Sequence, residues 1–205
     1  MQMQKIKLIL ASNSPRRKEL LAGLGIDFDV VVLKGIDESY PDDLEVNKVA
    51  EYIAGKKADA YKGMVDDNTI VITADTVVVL DGKVMGKPAG HDEACEMLRN
   101  LGGHTHQVIT GVCLTSKNVK RCLSVTSEVT FKQLTTEEIE FYVSHYKPYD
   151  KAGAYGIQEW IGYVGVTALK GSYFNVMGLP VQRIYQEIVD MCGSNIFIHD
   201  DKALP

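Results

Sequence analysis

The stretch Lys7-Leu8-Ile9-Leu10-Ala11-Ser12-Asn13-Ser14-Pro15-Arg16-Arg17-Lys18-Glu19-Leu20-Leu21 decides how this chain folds. An apolar run of strand length ends in small hydroxyl residues. A proline, three cations and a helical pattern follow. The reading is a strand over about 6–11 feeding a helix over about 15–23, with Ser14 as N-cap and Pro15 in the first turn. A helix begun this way directs free N–H groups and the positive end of its dipole outward, which favours an anion. Ser12 and Ser14 add hydroxyl donors, and Arg16 and Arg17 add planar donors that match phosphate oxygens. The competing reading is a capped helix with solvated cations.

Working outward, Gly23 and Gly25 break the helical pattern and Phe28 to Val32 reads as a short strand. Lys34 to Asp43 is polar and turn-like. A helix is expected from about Leu44 to Lys62, with Val46, Val49, Ile53 and Ala58 on its apolar stripe. Thr69 to Leu80 is almost continuously apolar or β-branched, as in a strand buried on both faces. Asp81-Gly82 marks a tight hairpin turn into Lys83-Val84-Met85. A helix over Asp92 to Leu101 stops at Gly102-Gly103, with the N-cap near Asp92. Two long strands, about 104–116 and 121–133, precede a helix opened by a capping box of Thr135 and Glu138. The last helix begins at Gly178-Leu179-Pro180. Helices alternate with strands while hairpins intrude, so the fold class is mixed α/β: a twisted, mixed sheet with flanking helices.

The whole chain has 205 residues, 45% hydrophobic and 24% charged, which is enough for one sizeable core. No internal repeat or linker divides it, so residues 1–193 are expected to form one domain, followed by a tail over 194–205. A net charge of -5 argues against a nonspecific nucleic-acid binder, which should be basic. No apolar run is long enough for a membrane helix and the N-terminus lacks a signal-peptide pattern, so the expected location is cytoplasmic. Cys95, Cys113, Cys122 and Cys192 show neither a CxxC pair nor zinc spacing, and read as reduced. The nucleotide fingerprints GxGxxG and GxxxxGK[ST] are both absent.

Several residues carry chemistry. Asp75 interrupts the most apolar strand, and burying a lone carboxylate is costly unless a cation, metal or substrate meets it. Thr76 next to it points to the opposite face of a regular strand; a bulge would let both face one cleft. Gly86-Lys87-Pro88 restrains a lysine suited to phosphate. Asp150-Lys151 opens a loop of small residues ending in Gln158, whose amide offers both donor and acceptor. Ile36-Asp37-Glu38-Ser39 is either a solvated loop or, with Asp75, a source of Mg²⁺ ligands. His104 and His106 share a strand face at zinc-compatible spacing, though a structural role fits them better.

Taken together, Leu10 to Arg17, Ala74-Asp75-Thr76-Val77-Val78, Gly86-Lys87-Pro88, Thr110-Gly111-Val112, Asp150 to Gln158 and Asn175 to Pro180 resemble the Maf family of nucleoside triphosphate pyrophosphatases. The resemblance implies two lobes around a deep cleft, related to inosine triphosphate pyrophosphatases. It implies hydrolysis between the α and β phosphates with a divalent cation, Mg²⁺, Mn²⁺ or Co²⁺. The proton acceptor maps onto Asp75, and the specificity positions onto Arg16, Thr76 and Gln158. Ser12, Ser14, Arg16, Arg17, Lys57 and Lys87 would hold the phosphates, and Glu38 and Asp75 the metal. The loop resembles the branch that hydrolyses dTTP and UTP, with modified pyrimidine nucleotides as further candidates. The implied partner is a small-molecule nucleoside triphosphate, not nucleic acid or a membrane, and a homodimer is the expected assembly. A nucleotide-sensing regulator of cell division, without catalysis, would use the same pocket.

Overall fold

The computed structural model describes residues 6–192, so the tail expected over 194–205 lies outside the described residues. β1 (Lys7–Leu10) leads into α1 (Pro15–Ala22), where the Ser14 hydroxyl caps the first turn by accepting the Arg17 N–H. β2 (Phe28–Val30) follows. The helix expected over 44–62 is divided: one 3₁₀ turn (Val46–Lys48) precedes α2 (Val49–Ala60). β3 (Thr69–Leu80) turns into β4 (Lys83–Met85) through Asp81 and Gly82, both at positive φ, as a two-residue hairpin of this hand requires. α3 (His91–Leu101) starts one residue before Asp92, with Gly90 in the capping position. β5 (Thr105–Thr115) and β6 (Lys120–Phe131) form the long hairpin. α4 (Thr136–Tyr146) carries the anticipated Thr135–Glu138 capping box. Between Gln158 and Gly178 the sequence pattern marks no elements. That interval holds α5 (Trp160–Gly165), β7 (Val166–Lys170) and α6 (Tyr173–Met177), before α7 (Val181–Cys192).

The described strands form one mixed sheet in the order β2-β1-β3-β5-β6-β7, with β4 also on β3. The expected mixed α/β architecture therefore holds, with both sides of the cleft sharing one sheet. β1 is parallel to β2 and β3, and every other pairing is antiparallel. The register explains the cleft. On one side of β3, β1 pairs only as far as Ile72 and β4 only from Val78. Among the described residues, 73–77 have no strand neighbour on that side, while their other side pairs regularly with β5. The sheet has a notch, and Asp75 and Thr76 stand in it. No bulge is needed: the strand is regular, and the open edge exposes both of its faces to one pocket.

Each face of the sheet is covered. On one, Val49, Ala50 and Ile53 of α2 pack on Val77, Val79 and Ile109. On the other, a larger core joins α1, α3, α4 and α7 around Leu21, Leu98, Ile139, Tyr142 and Ile184. Fully burying each such side chain contributes about 1.5–3 kcal/mol. α2 lies unusually close to the sheet. A Cβ on Gly111 would collide with the Ala50 and Glu51 backbone, and Thr73 Oγ1 donates to the Ala54 carbonyl at 2.8 Å. Gly111 is the cross-strand partner of Asp75, so this close approach brings α2 over the carboxylate.

The expectation of four reduced cysteines is overturned for two of them. Cys113 and Cys122 oppose each other in the β5–β6 ladder, 4.1 Å apart at Cα, and are joined as a disulfide. Their separation of nine residues gave no hint of this, because the pairing is made by strand register. Cys95 and Cys192 are free. Among the described residues, no helix is long and apolar enough to cross a membrane.

Candidate active site

The notch in the sheet opens into a pocket lined by Ser14, Arg16, Arg17, Lys57, Asp75, Thr76, Lys87 and Gln158, among others. Residues from five separate parts of the sequence thus meet in one place. Lys57, near the C-terminal end of α2, puts its ammonium 2.8 Å from Asp75 Oδ1 and 3.1 Å from Glu38 Oε1. Lys57 and Asp75 are both largely shielded, with 14% of each side chain exposed, whereas Glu38 is half-exposed. The ammonium therefore gathers two carboxylates whose oxygens would otherwise repel. Glu38 stands beside the pocket through this contact.

Arg17 fills the notch. Its Nη1 donates to the Ala74 carbonyl at 2.8 Å, Nε to the Gly178 carbonyl at 2.9 Å and Nη2 to Thr76 Oγ1 at 3.1 Å. Burial pulls this guanidinium below its ordinary pKa, and the nearby Asp75 charge opposes that shift. Thr76 Oγ1 also meets Thr110 Oγ1 at 3.0 Å, and Thr110 donates to the Asn175 carbonyl at 3.0 Å. A continuous hydrogen-bonded path ties α1, β3, β5 and α6 together beneath the pocket. Ser12 does not line it: this buried hydroxyl accepts the Ser14 N–H at 3.2 Å and so orients the capping residue.

Arg16 reaches across the pocket to Asp150, 3.1 Å away, and Asp150 also pairs with Lys151 at 2.8 Å. These cations hold the Asp150 carboxyl below its usual range against the opposing effect of partial burial. Lys87 is exposed at the rim and makes no ion pair among the described residues. Gln158 lines the pocket with a buried Oε1 that has no hydrogen-bond partner among the described residues. Such an atom is costly unless a ligand or water meets it.

Two further residues, which the sequence reading did not single out, fix the Gln158 loop. Tyr142 on α4 accepts the Gly156 N–H at 3.0 Å and donates a short hydrogen bond to Glu159 Oε2. The other oxygen of Glu159 pairs with Lys151 at 3.1 Å. Nothing in the sequence relates Tyr142 to Glu159; only the packing of α4 against the loop does. His104 and His106 do not share a ligand site. His104 Nδ1 meets the Gly102 carbonyl at 2.9 Å, whereas His106 is buried with Nε2 2.7 Å from the Tyr155 hydroxyl. Burial lowers the His106 pKa to about 4. A larger, more open hollow, lined in part by Glu45, Asp81, Gln107 and Glu128, has no cation among its lining residues and does not suit a phosphate.

A site with an anion-binding helix start, a lysine-bridged carboxylate pair and an unsatisfied amide defines a nucleotide-handling class of α/β protein. Residues 7–191 match the family model described as Maf-like protein. The chain belongs to the Maf family. A protein named dTTP/UTP pyrophosphatase from Phocaeicola vulgatus is 59% identical over 186 residues, 91% of this chain and 96% of that relative. A protein of the same name from Porphyromonas gingivalis is 52% identical over 195 residues, 94% of this chain and 98% of the relative. Among solved structures, a HAM1 protein from Coxiella burnetii aligns over 90% of this chain and 99% of its own, with 13% identity and a TM-score of 0.45.

Proposed function

We propose that this chain is a nucleoside triphosphate pyrophosphatase acting on dTTP and UTP, releasing the monophosphate and pyrophosphate. The observation that carries this is the gathering, in one pocket, of several cations, a largely shielded carboxylate and the Gln158 amide oxygen, which has no hydrogen-bond partner among the described residues. Membership of the Maf family and the shared name of the close relatives support it. Modified pyrimidine triphosphates fall within the same reading.

In this proposal the triphosphate lies against the start of α1. Ser14, the Arg16 guanidinium, Lys57 and Lys87 neutralise the phosphate oxygens, and Arg17 braces the pocket floor while offering its remaining N–H groups. Asp75, held in place by Lys57, orients a water and takes its proton as the oxygen attacks the α-phosphorus. The α–β anhydride bond breaks and pyrophosphate departs with its charge met by the cations. Gln158 Oε1 accepts the ring N–H of uracil or thymine, and the Gln158 NH₂ donates to a neighbouring carbonyl. Arg16 and Thr76 complete the specificity set.

A divalent cation fits the residues present. Glu38 and Asp75 offer hard carboxylate oxygens that converge on the Lys57 ammonium, which would turn to the phosphates as a cation takes its place, and Mg²⁺ prefers one or two carboxylates together with substrate phosphates. When bound, Mg²⁺, Mn²⁺ or Co²⁺ supplies charge neutralisation and a more acidic water. A cytoplasmic setting, where nucleoside triphosphates are held, suits this role.

The test is to incubate the protein with Mg²⁺ or Mn²⁺ and each of dTTP, UTP, CTP, dCTP, ATP, GTP and 7-methyl-GTP, measuring pyrophosphate and orthophosphate separately. Pyrophosphate with monophosphate from dTTP and UTP is expected. Orthophosphate release, or nucleotide binding without turnover, overturns the proposal.

A further inference from the structure

Away from the pocket, three side chains of mixed donor chemistry meet where α3 packs on α4. His91 and Cys95 are four residues apart on α3 and so share one helical face. Glu140 faces them from α4. Cys95 Sγ lies 3.8 Å from His91 Nδ1 and 3.6 Å from Glu140 Oε1, and His91 Nε2 lies 3.2 Å from Glu140 Oε2. One donor atom from each residue fits within a span of 4.8 Å. None of the three lines the nucleotide pocket.

We propose that His91, Cys95 and Glu140 form a binding site for one transition-metal dication of the zinc type. Tetrahedral zinc holds sulfur at about 2.3 Å and nitrogen or oxygen at about 2.0–2.2 Å, which sets its donors about 3.3–3.6 Å apart. Taking one donor atom from each residue, the three lie within 4.8 Å of one another, so side-chain rotations draw them inward to complete the shell. A thiolate, an imidazole and a carboxylate together select zinc, or cobalt as its spectroscopic stand-in, over Mg²⁺. Cys95 is buried at the base while His91 and Glu140 are partly exposed, so ions have an entry path and water takes the fourth position.

Burial, with the adjacent Glu140 carboxylate, keeps Cys95 a thiol at neutral pH, so binding forms the metal–sulfur bond and releases the thiol proton to solvent. Arg99, 3.7 Å from Glu140 Oε1 and half-exposed, moves out into water as the cation arrives. The bound ion would clamp α3 to α4. Glu140 precedes by two residues Tyr142, which anchors the loop carrying Gln158, so the clamp also stiffens the support of that loop.

The experiment titrates the full-length, metal-stripped protein with Co²⁺ and then displaces it with Zn²⁺. One equivalent of Co²⁺ is expected to give a thiolate-to-cobalt charge-transfer band, which the all-oxygen donors at Glu38 and Asp75 cannot produce. At a hundredfold excess over Kd, Zn²⁺ should raise the Tm by about 5–10 °C. His91→Ala, a change at a partly exposed position, should weaken binding at least tenfold. Cys95→Ser should abolish the band, whereas Cys192→Ser should retain it. No band in the wild-type protein, or a band that survives Cys95→Ser, overturns the proposal.

Discussion

Arg17 Nη1 donates to the Ala74 carbonyl at 2.8 Å, so an α1 side chain occupies the place that a neighbouring strand would have taken beside β3. The same guanidinium bonds Gly178 and Thr76. Its first duty is therefore to satisfy the open edge of the sheet that the pocket requires.

Arg17→Lys should destabilise the protein by about 2–4 kcal/mol, because one ammonium cannot serve three fixed acceptors and buried carbonyls are left unpaired. Urea unfolding measures it. Wild-type stability in the lysine variant would remove Arg17 from this bracing role.

Asp75→Asn keeps the side-chain volume but removes the negative charge facing Lys57. Turnover of dTTP should fall by about 10²–10⁴-fold, with nucleotide affinity little changed. Steady-state kinetics paired with calorimetric binding separates the two effects, and full retained turnover would eliminate Asp75 as the proton acceptor.

Gln158→Ala removes the amide proposed to read the base. The kcat/KM for UTP should drop by about 10–100-fold, while the low rate with CTP changes little, so discrimination collapses. An equal loss for both nucleotides would instead mean that Gln158 supports the loop without reading the base.

Gly111→Ala places a methyl group against the backbone of α2 at Ala50 and Glu51. The helix must shift, carrying Lys57 away from Asp75. A loss of at least about 2 kcal/mol is expected, with a fall in activity. Unfolding curves and turnover assays on one preparation test both.

His106 gives a pH signature. Burial lowers its folded pKa to about 4, below the ordinary imidazole value of about 6.5, so the unfolded chain binds the proton more readily. This leaves stability unaffected above about pH 6.5 and erodes it as the pH falls toward about 4, by at most on the order of 3 kcal/mol. Below that the loss levels off. Carboxylates such as Asp150, whose folded pKa is also lowered, add a loss in the more acidic part of the range. The histidine share is therefore read from His106→Gln, which should flatten stability between pH 6.5 and 4.5 relative to wild type.

The sequence by itself determined what neighbouring residues settle among themselves. Ser14 and Pro15 start α1, Asp81 and Gly82 turn the hairpin, and Thr135 with Glu138 caps α4, because each is a bargain between residues within a few positions. The polar interruption at Asp75 and the family motifs marked most of the pocket residues. Tertiary structure decided the rest. The notch in β3 depends on where β1 stops and β4 begins, and the Cys113–Cys122 bond depends on strand register. The Tyr142–Glu159 clamp and the meeting of His91 and Cys95 with Glu140 depend on how α4 lies against a loop and against α3. These contacts join residues far apart in the chain or on separate elements, and their energy comes from packing and strand pairing that no local pattern encodes.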